Sequence, residues 1–162
     1  MLPTGRLHSN SCMSSRVAVA LLASGAVLWC ALVVLSPVLP PLLAAAVYGL
    51  GGVICHQLPE RSFHWHGAQL AVCARCTGIY LGACASALVA PLPPAVSARW
   101  ASPPARIASI LGAAAIPMAI TLAAEWAGLW APSPMVRAAT GVAVGVAGAV
   151  VVTAAARCDK LR

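Results

Sequence analysis

Acidic side chains are nearly missing from this sequence. Glu60, Glu125 and Asp159 are the only three in 162 residues, and all charged residues together make up 8%. A soluble domain carries about a quarter charged residues to cover its surface, so a water-soluble globule is excluded. Helices surrounded by lipid need no such cover, and 61% of the residues are hydrophobic. A small secreted protein with a removable leader is also excluded, because apolar runs recur as far as Ala156. Clustered basic residues are missing too. The ten Lys and Arg residues stand singly at the ends of apolar runs, where they reach the headgroups and fix orientation. A net charge of +7 without basic blocks flanked by aromatics does not describe a nucleic-acid surface, and no nucleic-acid partner is expected.

What is present is a series of apolar segments cut by proline. The reading is an all-α, polytopic transmembrane helical bundle of about five spans with one Cys/His-rich interhelical loop. The expected spans are residues 16–36, 38–55, 74–91, 107–126 and 135–156, forming a single membrane domain over 16–156. A polar tail, 1–15, precedes it and a basic tail, 157–162, follows. Pro37, Pro40 and Pro41 break the chain after the first span. The second is short, and a re-entrant path is its alternative. Arg99 to Arg106 reads as a turn. Gly78 and Gly82, like Gly141 and Gly145, are four residues apart on one helix face, as close helix packing in lipid requires. Such faces suit a tight bundle and also a homo-oligomer. Membrane lipid is the expected surrounding, in a prokaryotic cytoplasmic (inner) membrane. With five spans, Arg6, Arg16, Arg61, Arg75 and Arg137 fall on one side and Arg99, Arg106, Arg157, Lys160 and Arg162 on the other. That is five against five, and the positive-inside rule gives no orientation.

Seven cysteines occur. Cys30 and Cys84 lie inside apolar runs, where a thiol is a small hydrophobe, and Cys12 and Cys158 lie in the tails. Cys55, Cys73 and Cys76 carry the chemistry. Cys55-His56 and Cys73-Ala74-Arg75-Cys76 are separated by a loop of sixteen residues. Two cysteines with two residues between them can present both sulfurs to one tetrahedral ion, and a second pair at a distance completes a structural zinc site. The expected metal ligands are therefore Cys55, His56, Cys73 and Cys76, with His64 and His66 as substitutes if the loop folds back. Zinc takes mixed sulfur and nitrogen ligands without redox chemistry; iron and copper stay open. A membrane thiol-disulfide oxidoreductase coupled to quinone is the alternative, since Arg75 and a helix N-terminus would both stabilise a thiolate. A third reading is a component of an oligomeric transporter with Glu125, Arg137 and the histidines along a polar path.

Other candidates for a small-molecule or catalytic site are Arg61, Arg75, Tyr80, Glu125 and Arg137. Cys76, Tyr80 and Cys84 share a helix face by their i, i+4 spacing. Arg61 can pair locally with Glu60. Glu125 and Arg137 flank the turn between the fourth and fifth spans, where an ionisable residue needs a partner or water; Glu125 beside Trp126 also fits a plain interface residue.

The boxes Cys55-His56-Gln57, Glu60-Arg61-Ser62-Phe63 and Cys73-Ala74-Arg75-Cys76-Thr77-Gly78-Ile79-Tyr80-Leu81-Gly82 resemble those of a family of small prokaryotic multispan membrane proteins, domain of unknown function 2085. The likeness extends over roughly residues 50 to 145 and continues at Pro117-Met118, Arg137, Thr140 and Gly141. Thr121-Leu122 stand where the family has Asp-Gly, Glu125 where it has Gln, and Pro134 where it has Asn. The resemblance implies a multispan architecture and weight on the boxes. It brings no reaction with it.

Overall fold

A computed structural model describes residues 5–89 and 104–156. Among them are five helices and one small hairpin. The helices are α1 (Gly5–Leu35), α2 (Pro41–Ile54), α3 (Ala74–Val89), α4 (Pro104–Trp126) and α5 (Pro134–Ala156); the hairpin strands are β1 (Ser62–Trp65) and β2 (Ala68–Cys73). Single 3-10 turns at Ser36–Val38 and Pro59–Arg61 introduce α2 and β1. The protein is a helical membrane protein. Among the described residues, three stretches are long and apolar enough to cross a bilayer, Val17–Val38, Ser109–Trp126 and Pro134–Thr153.

Surface and interior are inverted relative to a soluble protein. Leu21, Leu42, Val53, Ile120 and Leu129 are exposed, whereas Ser36, Thr77, Arg75 and Arg137 are buried. Exposed apolar surface of this extent marks a membrane or protein partner, and here it surrounds the helices on their outer faces.

The tightest packing joins α3 to α5. The two run in the same direction. Gly78 abuts the Ala138 carbonyl, Gly82 that of Val142, Gly141 that of Arg75 and Gly145 that of Ile79; a methyl group at any of the four would come within 3.0 Å of backbone. The two glycine pairs legible in the sequence therefore meet each other inside the chain. Helix α1 runs antiparallel to α3, with Trp29 edge-on to Tyr80 at 6.0 Å between ring centroids. Helices α4 and α5 form an antiparallel pair. Their turn begins with Gly128 at φ +67°, whose N–H bonds the Glu125 carbonyl at 3.1 Å while the Leu129 N–H bonds that of Ala124 at 3.0 Å. This paired closure ends a helix at a left-handed glycine and fixes Glu125 in the last turn of α4.

The structure departs from expectation in three places. Helix α1 starts at Gly5, well before Arg16, because polarity marks where a helix leaves the apolar medium and not where its backbone bonding stops. The Cys/His-rich loop contains a hairpin closed at His66 (φ +50°) and Gly67 (φ +81°), two positive φ values that match the twist of the strands; Trp65 pairs with Ala68 and His64 with Gln69. Finally, α2 is shorter than the expected span over 38–55. The Ala71 N–H bonds Ser36 Oγ at 3.0 Å, so the end of α1 and the start of α3 lie at one end of the bundle. Helix α2 packs on β2 and the 3-10 turn, and Cys55 returns to the level of Val33. Its 14 residues cover about 21 Å at 1.5 Å per residue, short of the ~30 Å hydrocarbon core. The third expected span ends at Val89 as far as it is described; the rest of the 74–91 segment, the first part of the Arg99 to Arg106 turn and the basic tail 157–162 fall outside the described residues.

The glycine contacts yield a prediction. Gly78→Ala or Gly141→Ala is expected to destabilise the protein by about 1–3 kcal/mol, the usual cost of forcing atoms into a packed interface. Gly112→Ala, at a helical glycine with open space around it, is expected to be neutral or to stabilise by about 0.5–1 kcal/mol. Unfolding in detergent followed by circular dichroism separates the two classes.

Candidate functional site

The sulfurs of Cys55, Cys73 and Cys76 lie within 4.8 Å of one another. Cys55 caps the C-terminus of α2, Cys73 ends β2, and Cys76 sits in the first turn of α3. They come from three elements because β2 runs without a break into α3. The Cys73 N–H also points at Cys55 Sγ, 3.2 Å away. Val33 and Val72 pack around Cys55, with Trp29 and Tyr80 beside them. A hydrogen bond from the Cys76 thiol brings the Cys73 thiol down to about 5; the Cys76 and Arg75 amides and the Cys55 thiol act in the same sense, against burial. These hydrogen bonds favour the thiolate form of Cys73, at the amide-rich start of a helix.

A loop built from side-chain amides holds this trio in place. Gln57, at φ +49°, donates from Nε2 to the carbonyls of Tyr48 at 2.8 Å and Ala71 at 2.6 Å. Gln69 Nε2 donates to the Gln57 carbonyl at 2.6 Å and to Ser62 Oγ at 3.2 Å. The Tyr48 hydroxyl donates to the Gln69 carbonyl. Gly51 permits this approach, since a Cβ there would collide with the Ala71 carbonyl. These amides tie the end of α2 to the hairpin. Sequence reading missed Gln57, Gln69 and Ser36 as structural residues; the polar run itself was the available signal, because a buried amide must find partners.

A second cluster surrounds Glu125. Arg75 Nη2 reaches Oε2 at 2.8 Å, Arg137 Nη2 reaches Oε1 at 2.9 Å and Arg61 Nε reaches Oε1 at 3.0 Å. The Glu125 side chain is 7% exposed, as is that of Arg137, whereas that of Arg61 is 36% exposed. Arg137 Nη1 also points at the Glu60 carbonyl, 3.4 Å away. The Nε groups of Arg75 and Arg137 are buried without an acceptor among the described residues. Arg75 belongs to both clusters, its amide directed to Cys73 and its guanidinium to Glu125.

The structure thus unites residues that the sequence offered separately. Arg61, Arg75, Glu125 and Arg137 form one knot, and Arg61 pairs with Glu125 instead of the neighbouring Glu60. Tyr80 stands beside the cysteines. His56, the fourth expected ligand, is exposed and outside the group of three sulfurs; His64 and His66 are exposed as well. Cys30 and Cys84 lie against each other between α1 and α3, away from the trio.

A family model described as a predicted membrane protein, DUF2085, matches residues 55–151, more than half of the chain. The chain belongs to the DUF2085 family. The matched range opens on Cys55 and takes in both clusters. Among similar proteins, the uncharacterized protein MJ1492 of Methanocaldococcus jannaschii is 43% identical over 49 residues, 30% of this chain and 31% of that protein. An uncharacterized protein of Methanothermobacter thermautotrophicus is 63% identical over 30 residues, 18% of this chain and 27% of its own length. The chain therefore spans less than a third of the length of these relatives. No solved structure matches it.

The Glu125 knot predicts a graded mutational response. Removing one partner of a buried ion pair costs about 3–5 kcal/mol because the charges left behind stay buried, so Glu125→Ala should destabilise by that order. Arg61→Ala, at the exposed edge, should cost no more than about 1 kcal/mol. Thermal melting of the two variants in one detergent checks the order, and equal losses would contradict it.

Proposed function

We propose that Cys55, Cys73 and Cys76 bind one metal ion, and that the donor chemistry favours zinc. The observation that carries this is the convergence of three sulfurs from three elements. Tetrahedral zinc with Zn–S bonds of about 2.3 Å sets its sulfurs about 3.8 Å apart, within the 4.8 Å spread of the trio. The hydrogen bonds onto Cys73 favour its thiolate, and thiolate is the form that binds metal. The ion would clamp the end of α2 and the hairpin onto the first turn of α3. With His56 outside the group, three protein ligands leave a fourth position open, the pattern of sites that take a water or a small molecule. Trp29 and Tyr80 pack against the same cluster as Cys55. The setting is a multi-pass protein of a prokaryotic cytoplasmic membrane.

A second reading draws on the acidity of Cys73. Two thiols separated by two residues at a helix start can be oxidised to a disulfide while a quinone takes up two electrons and two protons to become quinol, with Cys55 as an exchange partner. This reading requires a disulfide among the three in the membrane; the metal reading requires their thiolates.

Metal analysis of protein purified in detergent without chelators tests the proposal. The expected result is about one zinc per chain, lost on Cys55→Ser, Cys73→Ser or Cys76→Ser and kept on Cys84→Ser and His56→Ala. Metal content indifferent to the first three replacements would overturn it. A Cys73 disulfide trapped by acid quenching and alkylation, with no metal bound, would transfer the site to the second reading.

A further inference from the structure

We infer that the chain crosses the membrane four times and that the Cys55, Cys73 and Cys76 centre opens on the extracytoplasmic face. The centre is the one proposed above as a metal site, but its sidedness follows from helix directions and charge and stands whether or not the thiols hold a metal.

The directions come from contacts at one end of the bundle. Helix α1 arrives there, since Ser36 bonds the Ala71 amide. Helix α3 departs from there, antiparallel to α1 and side by side with α5 through the four glycines. Helix α4 arrives, bringing Glu125 in its last turn to Arg75 and Arg137, and α5 departs with Arg137 in its first turn. Because α4 contains a stretch long enough to cross, Pro104 lies at the far end, and the chain from Ala74 must travel there to meet it. Only residues 37–70 both leave and return at the site end. Helix α2 within that segment exposes Leu42, Leu43, Leu50, Val53 and Ile54, a face that lipid at the site end of the bundle would cover.

An excursion in place of a crossing redistributes the cations. With α2 uncrossed, the end opposite the site collects Arg6, Arg16, Arg99, Arg106, Arg157, Lys160 and Arg162, seven of the ten. The site end keeps Arg61, Arg75 and Arg137, and all three are engaged by Glu125. Five against five becomes seven against three. The excess of Lys and Arg in short loops and tails marks the cytoplasmic side, so the start of α1 and the end of α5 face the cytoplasm and both clusters face out.

The consequence is chemical. A three-cysteine site on the extracytoplasmic side meets the compartment in which disulfides form and persist. A metal ion would have to be captured there, and its coordination would shield the three thiols from oxidation. A disulfide-exchange partner would also have to be an extracytoplasmic thiol protein.

Sided labelling tests the inference on the full chain. Ala131→Cys lies in the exposed turn between α4 and α5, and Ala101→Cys lies between α3 and α4. Intact spheroplasts carrying either variant are treated with a membrane-impermeant maleimide, before or after permeabilisation, and each cysteine is read by peptide mass spectrometry. Residue 131 should be modified in intact spheroplasts at least about tenfold more than residue 101, which, with native Cys158, should label only after permeabilisation. Leu129→Cys, also exposed, takes the place of Ala131→Cys if that variant fails to accumulate. Labelling in the reverse order would overturn the orientation, and labelling of native Cys12 from the side opposite to Cys158 would overturn the four crossings. Zinc content measured on the same samples reports separately on the metal reading.

Discussion

Four glycines set the whole arrangement. Helices α3 and α5 touch backbone to backbone at Gly78, Gly82, Gly141 and Gly145, and lipid offers no hydrophobic drive that could replace such contact. Because the two helices start at the same end and run side by side, their first turns are forced together. Arg75 and Arg137 then become neighbours in a buried place, where two like charges repel strongly. Glu125 is what makes that proximity tolerable. It comes from α4, held three residues before the left-handed Gly128 that ends the helix. Arg61 closes the knot from the 3-10 turn ahead of the hairpin. One packing contact thus dictates where a carboxylate must be, which helix must bring it, and where the loop must lie.

The same first turn of α3 carries the thiols. Cys73 and Cys76 flank Arg75, so the positioning of one cluster positions the other. Cys55 joins them only because Gln57, Gln69, Tyr48 and Ser36 satisfy the polar backbone of a loop that would otherwise be costly to bury. The amide network is therefore as much a part of the thiol centre as the sulfurs are. It also accounts for the backbone at Gln57, whose left-handed conformation is unusual for a residue with a side chain and is held by two hydrogen bonds to carbonyls.

Much of this was legible in the sequence. Apolar runs and prolines located the five helices, the spacing of Gly78/Gly82 and Gly141/Gly145 marked the packing faces, and Cys55, Cys73 and Cys76 were named together. Other features depend on information that local pattern does not hold. Hydropathy records that residues 42–54 are apolar but is blind to direction, so an excursion and a crossing look alike. The union of Arg75, Glu125 and Arg137 spans separations that only the α3–α5 register determines. The hairpin was hidden because a two-residue turn at His66-Gly67 lies within a run whose charges and histidines suggest a loop. His56 was grouped with the cysteines by adjacency alone, whereas the extended backbone at Cys55 sends consecutive side chains in opposite directions.

The glycine seam also limits how the molecule can move. A slide or rotation of α3 against α5 by even a fraction of a residue would drive a Cβ into a carbonyl, so the two helices form one rigid unit with no soft coordinate between them. Arg75, Arg137, Cys73 and Cys76 ride on or directly beside that unit and keep fixed mutual positions. Cys55 does not. It belongs to a separate element, α2, whose outer face is exposed and which is joined to β2 by the Gln57 and Tyr48 hydrogen bonds and the Gly51–Ala71 contact. Any change in the spacing of the thiol triangle would therefore have to come from that one vertex.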